Sequence, residues 1–114
     1  MSWESIRGTL ESVKVTNDVV ELVTDKGTWK FTPEGDCCAH AFIHQPTTAL
    51  ADLSYLIGTK IVQGYVTDGV DRNHDGYVRT IHFYNLQTEK GTATVTLYID
   101  HNGDYGGRLL GGKQ

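Results

Sequence analysis

The sequence predicts an α+β domain: a single twisted antiparallel β-sheet of about six or seven strands with one short α-helix packed on it. Three observations lead there. Apolar and polar residues alternate in several short runs, as in Val13-Lys14-Val15 and Trp29-Lys30-Phe31, the period of a strand with one buried face. Helical spacing occurs once, at Ala49, Leu50, Leu53, Leu56 and Ile57. Thirteen glycines against two prolines supply many tight turns. A chain of 114 residues is the size of one compact domain, residues 1–114, with a single core.

The elements follow in order. Ser5 to Val15 reads as the first strand, Thr16-Asn17-Asp18 as a turn, and Val19 to Thr24 as the second strand. Asp25-Lys26-Gly27 gives a hairpin turn in which glycine supplies positive φ, and Thr28 to Thr32 is the third strand, ended by Pro33-Glu34-Gly35. After Gln45-Pro46-Thr47 comes the helix near residues 47 to 57, with Thr47 or Thr48 as N-cap and Gly58 just past its C-terminus. A helix so short is unstable in isolation, so its stripe must lie on the sheet. Lys60 to Thr67 is the next strand, with Gly64 as a bulge, and Asp68 to Gly76 is a polar loop. Tyr77 to Tyr84 and Thr92 to Ile99 resume the strand pattern around a polar turn from Asn85 to Gly91, and a last short strand lies around Arg108-Leu109-Leu110.

Composition limits the partners. The formal net charge of −4 repels duplex nucleic acid and anionic membranes at long range, and the ten Lys and Arg residues are scattered singly along the sequence. Met1-Ser2-Trp3-Glu4 is not a secretory leader, and no apolar run approaches the roughly 20 residues of a membrane helix, so a cytoplasmic protein is expected. Cys37 and Cys38 are adjacent, a spacing that strains a disulfide between them and predicts two free thiols.

The reactive residue types concentrate in Gly35-Asp36-Cys37-Cys38-Ala39-His40-Ala41-Phe42-Ile43-His44. Asp36, Cys37, Cys38, His40 and His44 are zinc-ligand types, yet neighbouring cysteines on an extended chain point to opposite faces, so their sulfurs do not converge on one ion. A nucleophilic cysteine with His40 or His44 as base is an alternative, although no cation cluster or helix terminus is apparent to lower the thiol pKa. Asp71-Arg72-Asn73-His74-Asp75-Gly76 matches the opening of a calcium loop, but His82 stands twelfth where a bidentate Glu belongs. Tyr105-Gly106-Gly107-Arg108 combines an aromatic ring, approachable backbone amides and a guanidinium able to grip an anion. Scaffold requirements explain Asp36, Cys37, Cys38, His40, Tyr105 and Arg108 least, and these six are the predicted ligand-binding surface. No cofactor and no metal are expected.

Thr24-Asp25-Lys26-Gly27, Glu34-Gly35-Asp36-Cys37-Cys38 and Asn102-Gly103-Asp104-Tyr105-Gly106-Gly107 together carry a resemblance over about Val19 to Leu109. The chain resembles small proteins of unknown function, common in bacteriophages and prophages, that share a Gly-Asp-Cys-Cys signature and a C-terminal Asn-Gly-x-Tyr-Gly-Gly motif. It departs from them at Ala39, where Ser is expected, and at Asp104, where Tyr or another large residue is expected. The resemblance implies a phage-encoded protein acting in the cytoplasm of the infected cell. By analogy with other small phage proteins, the expected function is binding and sequestration of a nucleotide-derived bacterial immune signal by a homo-oligomer. The alternatives are an inhibitor of a host defence protein and a small Cys/His hydrolase or phosphodiesterase.

Overall fold

The structure, a computed structural model, describes residues 3–36, 39–44, 49–74, 76–102 and 106–114. Among these, a 3-10 turn (η1, Trp3–Ser5) precedes β1 (Leu10–Val15), β2 (Val20–Thr24), β3 (Gly27–Gly35) and β4 (His40–His44). The helix α1 (Ala49–Tyr55) follows, then β5 (Ile61–His74), β6 (Tyr77–Thr88), β7 (Thr92–His101) and β8 (Gly107–Lys113). The strands form two antiparallel four-stranded sheets, one in the order β1-β2-β3-β8 and the other in the order β4-β7-β6-β5.

This corrects the expected single sheet of six or seven strands: the described residues are mostly β, with two sheets, one 3-10 turn and one seven-residue helix. The physical reason is coverage. Every strand pattern presents one apolar face, and a seven-residue helix is too small to cover the combined face of so many strands, so two sheets bury their apolar faces against each other. Leu10, Val20, Leu22, Trp29 and Phe31 come from the first sheet, and Ile43, Leu86, Val95, Leu97 and Ile99 from the second. The helix sits where its spacing placed it, packs against β1 and β7, and contributes Leu53 to the core, joined by Leu56 from the turn that follows. Gly58, at φ 92°, follows its final turn as expected, whereas Thr47 and Thr48 lie outside the described residues.

Backbone groups of the two sheets meet at two places near β1. At the first, the chain before β1 meets the start of β5 through the Thr9–Lys60 bridge, with the Leu10 amide donating to the Thr59 carbonyl at 3.0 Å and the Ile61 amide to the Gly8 carbonyl at 2.8 Å. At the second, the Asn17 turn between β1 and β2 exchanges two 2.9 Å hydrogen bonds with the backbone of Ile43 in β4.

Several boundaries move for identifiable reasons. β3 runs through Pro33 to Gly35 because β2 stops pairing at Phe31; beyond it β3 pairs with β8 only, and a proline needs to donate no ladder bond on its open side. The loop expected from Asp68 to Gly76 is strand as far as His74, paired with β6 down to His74↔Tyr77, with Gly76 at φ 88° in the turn. The bulge expected at Gly64 is displaced: register shifts fall at Ile61/Gln63 and Thr67/Val70, and Gly64 itself pairs with Leu86. Gly64 is small because the Trp3 carbonyl and indole lie against it, and Gly69, in the second bulge, lies against the Ile81 carbonyl.

Candidate functional site

The predicted surface is divided by the fold. Cys37, Cys38 and Tyr105 lie outside the described residues. Asp36 is exposed at the corner where the chain leaves the first sheet for the second, His40 opens β4 in the second sheet, and Arg108 is exposed on β8 of the first sheet opposite Glu34. The structure therefore brings Asp36 and Gly106 together and leaves Arg108 on a different sheet from His40.

The Asp36–Gly106 contact gives the two sequence motifs a common architectural reason. β3 crosses to β4 through residues 36–39, and β7 crosses back to β8 through residues 102–106. The Asp36 amide donates to the Gly106 carbonyl at 2.9 Å, and the Gly106 amide donates to Asp36 Oδ2 at 3.0 Å. The Ala39 amide closes the first corner on the Asp36 carbonyl at 2.8 Å. Gly35 fits because a Cβ there would meet the Ala39 backbone, and Gly107 because a Cβ would meet the Glu34 carbonyl at 2.8 Å and the Ile99 side chain. The described parts of both motifs thus serve two adjacent sheet crossings.

His40 leads instead to a surface that the spacing of the motifs did not reveal. On the outer face of the second sheet, antiparallel pairing aligns side chains in rows across the strands. One row is His40, Asp100, Arg79 and Arg72; the next is Phe42, Tyr98, Ile81 and Val70; the third is His44, Thr96, Phe83 and Thr67. Alternation puts Ile43, Leu97 and Ile99 on the opposite, buried face.

Arg79 is the centre of this face. Its Nε donates to Asp100 Oδ1 at 2.8 Å and its Nη2 to Oδ2 at 3.1 Å, a two-pronged pair that fixes the plane of the guanidinium. The guanidinium carbon lies 4.6 Å from the Tyr98 ring centroid and 5.6 Å from that of Phe42. The Asp100 hydrogen bond raises the Arg79 pKa above its already high ordinary value against the opposing effect of burial, so the charge is permanent. His44 stacks on Tyr98 at 4.5 Å with the rings 8° from parallel, Phe42 meets Tyr98 edge-on at 5.6 Å, and His40 lies 5.2 Å from Phe42. Beside them is a hollow of about 510 Å3 whose lining includes His44, Arg72, Asn73, Arg79, Thr96 and Tyr98.

The signal for this face was in the alternation. Positions on the outer face of a half-buried strand are ordinarily small or polar, yet β6 places Arg79, Phe83 and a buried Ile81 there and β4 places His40, Phe42 and His44 there. Aromatic rings and arginines thus concentrate on a face the core does not use.

Among the described residues no group of three or more His, Cys, Asp or Glu side chains is placed to hold a metal ion. In the calcium-like segment, Asp71 sits in the β5–β6 ladder, where its Oδ1 accepts from the Thr80 hydroxyl at 2.7 Å; Asp75 lies outside the described residues. No helix among the described residues is long and apolar enough to cross a membrane. No curated protein and no solved structure matches the chain. A family model does match, over residues 4–110, and with nearly the whole sequence covered the chain belongs to that family, described as a domain of unknown function (DUF7448).

Proposed function

We propose that this protein binds a nucleotide-derived small molecule on the outer face of its second sheet and sequesters it without turning it over. The observation that carries the reading is the Arg72–Arg79 pair beside the Phe42–Tyr98–His44 rings. Asp100 balances one of these two opposed cations, and the net positive charge left on the pair favours an anion there. Arg79 spends two donors on Asp100 and retains others for phosphate oxygens, while the adjacent rings offer faces for a base. The resemblance to phage proteins supports the finer reading, in which the ligand is a bacterial immune signal, the protein is phage-encoded and it acts in the cytoplasm of the infected cell. Self-assembly belongs to the same reading: β5 is an edge strand, and along it Val62, Val66 and Val70 are 40–52% exposed, apolar positions at an edge that a second copy could pair with.

The test is incubation with a panel of cyclic oligonucleotides and ADP-ribose-derived signals, followed by analysis of the supernatant and of the material released by heat. A binder depletes one compound and returns it unchanged. Return of cleaved products would identify a phosphodiesterase or hydrolase instead. Depletion of none would contradict small-molecule binding and favour the inhibitor of a host defence protein. Arg79→Ala and Arg72→Ala should each weaken binding by about 1.5–3 kcal/mol, the scale of a charge-assisted hydrogen bond.

A further inference from the structure

Arg7, Lys26, Lys60 and Lys113 are far apart in the sequence, but they line one hollow of about 580 Å3 at the joint between β1 and β5. Four of the ten Lys and Arg residues therefore converge in a protein of net charge −4, and no Asp or Glu is among the lining residues. The nearby Asp25 has its Oδ1 bonded to the Thr9 amide at 2.8 Å. The local potential is thus opposite in sign to that of the whole molecule, and it would hold an anion that the rest of the surface repels. The hollow shares no lining residue with the one beside Arg79.

Its walls are largely carbon. Trp29 and Ile61 are buried beneath it, and the alkyl stems of the lysines complete it. The Lys113 ammonium lies 5.6 Å from the Trp29 ring centroid, within reach of the ring face. Ser5 supplies the lining's one side-chain hydroxyl, which already accepts the Trp29 indole N–H at 3.1 Å. No side-chain amide or carboxylate among the lining residues is placed to read the hydrogen-bonding edge of a base.

We infer that this hollow is a second binding site, for an organic diphosphate with an apolar body. The cationic rim takes the diphosphate group, the carbon walls take the body, and the volume falls in the range of about 300–1,000 Å3 usual for small-molecule sites. Such a ligand is distinct in kind from the base-bearing one proposed for the Arg79 face.

The experiment is calorimetric titration of the full chain at fixed ionic strength with geranyl diphosphate, inorganic diphosphate, geraniol and ATP, with tryptophan fluorescence recorded in parallel. Geranyl diphosphate should bind at least about tenfold more tightly than any of the other three, a margin of 1.4 kcal/mol. It should change the emission of Trp29, and this change should be absent in Trp29→Phe. The double variant K60E/K113E, altered only at exposed positions, should keep its circular dichroism and melting temperature and bind geranyl diphosphate at least about tenfold more weakly. R79A should bind it as the parent does, which separates this site from the proposed nucleotide face. Equal affinity for geranyl diphosphate and inorganic diphosphate, equal affinity for ATP, or undiminished binding by K60E/K113E would each overturn the inference.

Discussion

The phenol of Tyr84 joins the two sheets at a single atom. It lies on β6, is 7% exposed, and its oxygen accepts the Leu109 amide of β8 at 2.9 Å. Tyr84→Phe leaves that buried amide without its partner and should cost about 1–3 kcal/mol in urea unfolding. Burial, partly offset by the Leu109 hydrogen bond and by Arg108, raises the phenol pKa above its ordinary 10.0. The sign of the linkage follows. Below pH 10 the phenol is protonated folded or unfolded, so its contribution is fully present; as pH climbs through 10 toward the raised folded pKa, the unfolded chain ionises first and that stability is lost. Unfolding measured from pH 8 to pH 11 should therefore show the parent losing stability relative to Tyr84→Phe. Trp3 is a second such residue. It is 2% exposed, packs on Phe31 and Tyr84, and donates its indole N–H to the Asn85 carbonyl at 2.6 Å. Trp3→Ala should cost about 3–5 kcal/mol, and Gly64→Ala, which forces a methyl against the Trp3 carbonyl, about 1–3 kcal/mol by the same assay.

At the scale of elements, local chemistry was legible and pairing was not. The Leu53 and Leu56 spacing located the helix, and Asp25-Lys26-Gly27 located the β2–β3 hairpin, because each is decided within a few residues of chain. A period of two says that one face of Trp29-Lys30-Phe31 is buried but not against what, so the division into two sheets was beyond its reach. For the same reason the polar Asp71-Arg72-Asn73-His74 read as a loop, although its partners in β6 make it a strand. The Gly-Asp-Cys-Cys and terminal glycine motifs were visible as signals, and their described residues explain them as neighbouring crossings between sheets. Asp36→Ala should accordingly lose the Gly106 hydrogen bond and cost about 1 kcal/mol of stability, with nucleotide binding by the folded protein retained. Of the six predicted binding residues, His40 is the one among those described that lies on the aromatic face, and His44, read as a zinc-ligand type and candidate base, lies there too. Arg72, Arg79 and Tyr98 come from β5, β6 and β7 and meet through the register of those strands, which composition does not encode.

For the whole molecule, charge is sorted by the fold more than by the sequence. Cations spaced singly along the chain converge on the joint between β1 and β5, while Arg72 and Arg79 meet on the outer face of the second sheet. An acidic protein that binds anions through such local clusters should lose affinity as salt rises, because screening shortens the reach of each charge from about 10 Å at 0.1 M to about 3 Å at 1 M. Assembly through the β5 edge is tested by Val66→Lys, which should lower the sedimentation coefficient of an oligomer to that of a single chain. The central claim, that the outer face of the second sheet is the binding face, is tested most directly by mapping amide chemical shifts in the labelled protein titrated with a cyclic dinucleotide and with ADP-ribose. The predicted result is saturable shifts with one of these probes, concentrated at Phe42, Arg72, Arg79 and Tyr98 and absent in Arg79→Ala. Shifts with neither probe, or shifts gathered instead around Lys60 and Lys113, would contradict it.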